Sequence, residues 1–375
     1  MSVLVIDTEN TTHSKGSPFD QRNQNVCISF VSDEGSGVFF SDDTEGRAHF
    51  EGLLRRATTI VGFNLKYDLH WLRKSGYDLS GKRYWCCQTA EFTLGRQLSP
   101  YPGLGDTAAS YDLGSKLSVI EDEYWSKGIQ TTEIPRDVLA EYAIQDVELT
   151  KNVFLKQQEL VQPRQKVLFS LLMQDMAVLQ EMEWNGLRFD KEGALKRADE
   201  LDSRIQGLQH ELGCFHAVPN FNWASNDHLS ALLYGGTIVE RKRVPVGVYK
   251  SGDHKGEIKY GYELVSHRLP RRYNPVRGSA NAKAGTWSVE EQYLQKLTGD
   301  RKLIDGILQI KVWKKLVSTY LRGLPQKHEE AHQPDGYVHG QLVQVVAKTG
   351  RLASNSPNLQ NISADAQDIF ISRYD

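Results

Sequence analysis

Cysteine and methionine are scarce, with four of each in 375 residues, and proline supplies only 12. Cys27, Cys86, Cys87 and Cys214 are too few and too scattered for a disulfide framework, and no C-x-x-C pair offers zinc ligands. They are expected to be reduced thiols that mostly fill core. Long hydrophobic runs are absent too: no window approaches the roughly 18 uncharged apolar residues of a membrane span. Residues 1–7 place Asp7 directly after a short apolar run with no basic region before it, which is not a secretory signal. The cytoplasm is the expected location. Neither an internal repeat nor a low-complexity tract is visible.

An excess of one charge is also lacking. Lys plus Arg number 45 and Asp plus Glu 47, for a net charge of -2, which by itself argues against a protein that coats nucleic acid. The distribution says something different. Between Arg241 and Lys315 there are 17 Lys/Arg against 7 Asp/Glu, whereas the first 240 residues carry a net -11. An acidic part followed by a basic one suits a module that holds metal ions joined to one that grips a polyanion. A solvated basic face with no partner is the alternative.

What is present is ordinary globular material, 39% hydrophobic and 25% charged, in a chain long enough for two or three domains at about 150 residues each. Four short apolar runs read as buried strands: Val3-Leu4-Val5-Ile6, Val26-Cys27-Ile28-Ser29-Phe30, Val38-Phe39-Phe40 and Thr59-Ile60-Val61-Gly62-Phe63. Helical patterning begins near Ala48 and recurs after Tyr67, so residues 1–157 form an α/β domain with a mixed sheet. Apolar residues at helical spacing run from Gln165 to Trp184, with Asn185-Gly186 as a stop. Further long helices are predicted at Lys191–Leu212 and Val289–Leu324. Residues 235–285 interrupt them with Gly, Pro, Lys and Arg and weak alternation over Ile258–Val265. This stretch is expected to be an elaborated basic loop or hairpin without a core of its own.

Three separated pieces carry candidate chemistry. Asp7 and Glu9 lie at the end of the opening strand, where positions i and i+2 project to one side and can share a cation. Asp68 follows Asn64-Leu65-Lys66-Tyr67 at the entry to a helix. Tyr142 and Asp146 stand four apart, on one helical face. Several carboxylates offer the hard oxygen ligands that Mg²⁺ or Mn²⁺ prefer, and two such ions about 4 Å apart can activate water and stabilise the leaving oxygen of a phosphodiester. Taken singly, a D-x-E tripeptide is equally a surface turn and Tyr-x-x-x-Asp equally one face of an ordinary helix.

Together and in this order, the pieces resemble the DEDDy 3'-5' exonucleases. The resemblance implies a ribonuclease H-like fold, four carboxylates (Asp7, Glu9, Asp68, Asp146) that bind two metal ions, and Tyr142 as the group that orients or helps deprotonate the attacking water. Val61-Gly62-Phe63-Asn64-Leu65-Lys66-Tyr67-Asp68 is close to the second exonuclease motif of bacterial and phage family A (Pol I-like) DNA polymerases, and Asn64 is expected to support the turn or contact DNA.

The likeness continues. Met182 to Asp190 resembles the join between exonuclease and polymerase regions in that family. Phe221-Asn222-Trp223-Ala224-Ser225 resembles the start of the thumb, and Lys315 to Leu321 its second long helix. Thr349-Gly350-Arg351-Leu352-Ala353-Ser354-Asn355-Ser356-Pro357-Asn358-Leu359-Gln360-Asn361-Ile362 is similar to the family's T-G-R-L-S-S-x-x-P-N-L-Q-N-I-P signature at nearly every position. By that resemblance Arg351 reaches the minor groove, Gln360 and Asn361 hold primer-template, and Lys311, Lys314, Lys315, Ser318 and Thr319 contact phosphates. Donors of these kinds suit minor-groove acceptors and phosphates without specifying sequence. Arg241, Lys242 and Arg243 are the corresponding candidates in the basic loop. Ser363-Ala364-Asp365 departs from the family pattern.

The expected organisation is an exonuclease domain over 1–157, a connecting helix and mainly α-helical thumb over 158–340, and an incomplete palm over 341–375. The palm and fingers motifs of nucleotide addition are not found before Asp375. Three readings follow: a proofreading exonuclease and thumb whose palm and fingers come from a second polypeptide, a self-sufficient DNA exonuclease, or a non-catalytic DNA-binding assembly subunit. The intact carboxylates and Tyr142 argue against the last.

Overall fold

A computed structural model describes residues 2–252, 254–333 and 336–374. The chain forms two compact units, one of residues 1–191 with 324–375 and the other of residues 192–323.

The first unit is built on a five-stranded sheet. Its strands are β1 (Val3–Asn10), β2 (Asn25–Ser32), β3 (Gly35–Phe40), β4 (Thr59–Gly62) and β5 (Arg83–Cys86), in the order β3-β2-β1-β4-β5. β1 runs antiparallel to β2 and parallel to β4, so the sheet is mixed as the alternation of strand and helix patterns predicted. β1 is central, and its side chains alternate between two buried faces. Leu4 and Ile6 join a core with Ile60, Phe50, Leu69, Leu72 and Phe169, whereas Val5 joins Val61, Cys87, Val147 and Val153 on the other side. Cys27, Cys86 and Cys87 are buried free thiols and Cys214 is an exposed one.

Helices cover both faces of this sheet. α1 (Thr44–Arg56) begins where the Asp43 carboxylate accepts the backbone N–H groups of Glu45 and Gly46 at 3.1 and 2.9 Å, two donors a helix start otherwise leaves without partners. α2 (Leu65–Lys74), α3 (Cys87–Leu94), α4 (Leu104–Ser110), α5 (Val119–Glu123), the 25-residue α6 (Arg136–Leu160) and α7 (Lys166–Asn185) follow. The expected boundary near 157 falls inside α6. α7 ends at Gly186, where φ is +61° and a Cβ would lie 2.9 Å from the His339 ring. A two-residue strand, β6 (Leu187–Arg188), then leads to α8 (Lys191–Leu212).

The second unit contains α9 (Asn226–Tyr234), a long hairpin of β7 (Gly236–Val248) and β8 (Ile258–Leu269), the short α10 (Glu291–Leu294) and α11 (Arg301–Leu316). Its core joins Leu212, Leu229, Leu232, Leu233, Leu303 and Ile307. The basic stretch is thus an ordered hairpin over most of its length. The single helix predicted across Val289–Leu324 is instead broken. Gly299 takes φ +119°, and Asp300 starts a new helix by accepting the Lys302 N–H at 2.9 Å. α11 passes into a π-helical turn, Val317–Leu321, a local widening of the helix.

The chain then returns to the first unit through α12 (Gly323–Glu330), β9 (Tyr337–Val338), and a small hairpin of β10 (Gln341–Val343) and β11 (Ala353–Asn355). β9 pairs with β6, and the Asp190 N–H donates to the Ile369 carbonyl at 2.7 Å. Among the described residues no helix is long and apolar enough to cross a membrane.

Candidate active site

The alternation of β1 decides how the acidic residues meet. Asp7 and Glu9 continue the face of Val5, which packs toward α6, and there they join Asp146. One carboxylate oxygen from each of Asp7, Glu9 and Asp146 lies within 4.8 Å of the others. Thr8 continues the opposite face, that of Ile6, toward α2. Its N–H and hydroxyl both donate to Asp68 Oδ1, at 3.2 and 2.8 Å. Asn10 in turn donates to the Thr8 hydroxyl at 3.0 Å. Three of the four expected carboxylates therefore form the cluster, and Asp68 is anchored beside it by the residue between the first two. Thr8 and Asn10 carried no motif signal of their own.

α2 presents Asp68 because the chain turns tightly after β4. Asn64 is exposed and left-handed, with φ +59°, a conformation asparagine tolerates better than most residues. Gly62 permits the same turn, since a Cβ there would sit 2.9 Å from Leu65 Cδ1 and 3.2 Å from the Ile6 carbonyl oxygen.

Burial dominates the electrostatics. It raises Asp7 from its ordinary value of 3.8 to about 6, with the Asp146 charge adding to the effect and Lys116 opposing it. Glu9 and Asp68 are pushed well above the usual carboxylate range, first by burial and then by the Asp7 charge. Asp146 is raised by burial against the pull of Lys116, and its Oδ1 is buried without a hydrogen-bond partner. Tyr142 is buried one helical turn before Asp146 on α6 and is strongly raised by burial and by the charges of Glu9 and Asp146. A phenol held protonated this firmly serves as a hydrogen-bond donor that orients a neighbour.

Lys116 is the feature the sequence did not single out. Its ammonium stands 2.7 Å from Asp146 Oδ2 and 5.2 Å from the centre of the Tyr142 ring. A lone lysine in a Gly-Ser-Lys loop carries no pattern that would mark it.

These donors fit a divalent metal: hard carboxylate oxygens converge, their mutual repulsion asks for positive charge, and one buried oxygen lacks a partner. A cleft of about 640 Å³ in the first unit is lined by Lys15, Asn64, Lys66, Tyr67, Gln344 and Lys327 among others, and none of Asp7, Glu9, Asp68, Tyr142 and Asp146 is on its wall.

The remaining candidates occupy both units. Arg351, Gln360 and Asn361 are exposed in the first. In the second, Arg241, Lys242 and Arg243 are exposed on β7, and Lys315, Ser318 and Thr319 at the end of α11 and in the π-helical turn. Lys314 is half-buried, and Lys311 donates to the Val289 carbonyl at 2.6 Å.

The chain is similar to several known proteins. Residues 264–373 match DNA polymerase family A. The chain is 27% identical to DNA polymerase I of Synechocystis over 80% of its own length and 26% of the relative's. Against DNA polymerase I of Bacillus subtilis it is again 27% identical, over 80% of its length and 29% of the relative's. It thus spans under a third of these polymerases. The POL domain of Pol1 from M. smegmatis, solved in complex with DNA primer-template and dNTP, shares the fold with a TM-score of 0.65 at 17% identity, covering 98% of this chain and 54% of that one. The family A match includes the Arg351 to Ile362 run and the second half of β8.

Proposed function

We propose that the protein is a metal-dependent 3'-5' exonuclease that removes the terminal nucleotide of DNA, the proofreading part of a family A DNA polymerase. The observation that carries this reading is the convergence of Asp7, Glu9 and Asp146, with Asp68 anchored alongside and Tyr142 buried one turn from Asp146 on the same helix. Two Mg²⁺ or Mn²⁺ ions held by Asp7, Glu9, Asp68 and Asp146 would supply Lewis-acid stabilisation of the charge that develops on a phosphodiester. The protein's own groups do the rest. Thr8 fixes the Asp68 carboxylate, and the Tyr142 hydroxyl orients the attacking water from the same helix face as Asp146.

Arg351, Gln360 and Asn361, within the family A match, are assigned to primer-template, and Lys311, Lys314, Lys315, Ser318 and Thr319 to phosphates. Of these Lys311 is the least available, since its ammonium is engaged within the fold. A second polypeptide with palm and fingers would reveal itself as primer extension that appears only when both chains are mixed.

The exonuclease reading is tested on a 5'-labelled single strand with Mg²⁺ or Mn²⁺. A ladder of shortened products is expected, and Asp7→Ala should slow it at least about a hundredfold, roughly 2.7 kcal/mol of transition-state stabilisation. Tyr142→Phe should lower turnover about tenfold or more while metal binding stays within about twofold. No shortening, or the same shortening by Asp7→Ala, would remove the assignment.

A further inference from the structure

Lys116 lies in the loop between α4 and α5, and that loop is tied to the helix carrying the site. The Leu117 N–H donates to the Gln145 side chain at 3.2 Å, one residue from Asp146 on α6. The Lys116 Cβ also lies 3.4 Å from where a side chain on Gly105 would begin, so the small residue in α4 leaves it room. Asp112 and Gly114, just before it, both have positive φ, at +57° and +110°. A loop shaped in this way delivers its lysine to the cluster by construction.

At the cluster the ammonium makes one direct ionic contact, with Asp146 Oδ2, while Oδ1 of the same carboxylate is buried and unpartnered. Its charge also acts on Asp7 and Glu9. The Lys116 side chain is 36% exposed and that of Asp146 only 4%. The lysine therefore has a solvent path out, and the carboxylate does not. An ammonium and a divalent ion seek the same oxygen lone pairs, and their like charges repel strongly at short range in a partly buried site. The ammonium brings one charge where the metal brings two.

We propose that Lys116 is the resident counter-cation of this cluster: it pairs with Asp146 in the metal-free protein, leaves Asp146 when a divalent ion loads, and thereby sets the metal concentration at which the site fills. Lys116 is then a positioning residue for the carboxylates rather than a catalytic one. The proposal rests on reading the cluster as a metal centre, and its test separates the two.

Mn²⁺ binding to the full chain is measured by the electron paramagnetic resonance of free Mn²⁺, with Asp7→Ala used to identify the part of the isotherm that belongs to the cluster. Lys116→Met keeps the apolar stem and removes the charge. It should lower the half-saturating Mn²⁺ concentration about fivefold, the scale of losing one competing ion-pair contact, whereas Lys116→Arg should stay within about twofold of the parent. An unchanged or raised midpoint in Lys116→Met overturns the proposal.

The parent protein supplies a second readout that needs no variant to fold. Amine labelling followed by peptide mass spectrometry should show Lys116 protected in chelator and markedly more reactive at saturating Mn²⁺. Equal reactivity in both conditions overturns the proposal as well. Loss of any Asp7-dependent Mn²⁺ binding would remove the metal centre itself, whereas Asp7-dependent binding that ignores Lys116 would remove only the counter-cation.

Discussion

Asp7 shows how the site's chemistry is written into stability. Burial, then the neighbouring Asp146 charge, lifts its carboxyl from 3.8 to about 6. A carboxyl whose folded pKa exceeds its unfolded value favours the folded state while protonated, so that stability is full below about 3.8 and declines as pH rises through about 6. Above that range the metal-free protein carries the whole penalty of an ionised Asp7. Asp7→Asn should therefore raise the melting temperature in chelator by a few degrees near pH 8 and by little near pH 4. Saturating Mn²⁺ should reverse the order, because the parent gains binding that the variant lacks. An equal shift at both pH values would discard the electrostatic account. Asp7, Glu9, Asp68, Tyr142 and Asp146 stood out in the sequence only as a set, through their resemblance to the DEDDy motifs, and the fold brings Asp7, Glu9 and Asp146 together. Thr8 and Lys116 did not stand out, because a threonine between two acids and a lysine in a loop acquire roles only from what packs opposite them.

Among the elements, the β7–β8 hairpin resolves what composition could only call basic. Pairing of Arg243 with Tyr262 and of Arg241 with Leu264 puts both arginines on the face that carries Tyr260 and Tyr262, with Arg243 3.8 Å over the Tyr260 ring and Arg241 5.1 Å over that of Tyr262. Lys242, paired with Glu263, projects from the other face. Three adjacent basic residues thus divide two to one, as strand geometry requires. If this hairpin grips DNA, reversing Arg241 and Arg243 to Glu should weaken binding and flatten its dependence on salt, while Lys242→Glu should have the smaller effect. Equal effects of the two changes, or an unchanged salt slope, would count against the arginine face. The weak alternation in Ile258–Val265 left a loop and a hairpin both open, and the pairing of β7 with β8 decides for the hairpin and fixes its faces. The Val289–Leu324 helix failed for a related reason: apolar spacing persists across Gly299, and only the positive φ there and the cap at Asp300 reveal the break.

At the scale of the molecule, two units with separate cores succeed one another, and the chain's last stretch rejoins the first. Leu303 is fully buried in the second core, so Leu303→Ala should cost about 2–5 kcal/mol there. Amide exchange should accelerate in α9 and α11 and remain unchanged in β1 and β4. Acceleration in β1 to the same degree would mean that the units unfold together. The sequence by itself determined the mixed α/β opening, the helical second half and the residues able to ligate a metal, because period, turn chemistry and donor type are local properties. Tertiary structure alone decided that residues 324–375 return to the first unit, where β9 pairs with β6 and the Asp190 N–H meets Ile369. It alone brought Asp146 to Asp7 and Glu9 on one face of β1, turned Thr8 to Asp68 on the other, and set Lys116 against Asp146. Contacts between residues 30 to 179 positions apart depend on which faces bury against each other, and no local pattern in the chain encodes that choice.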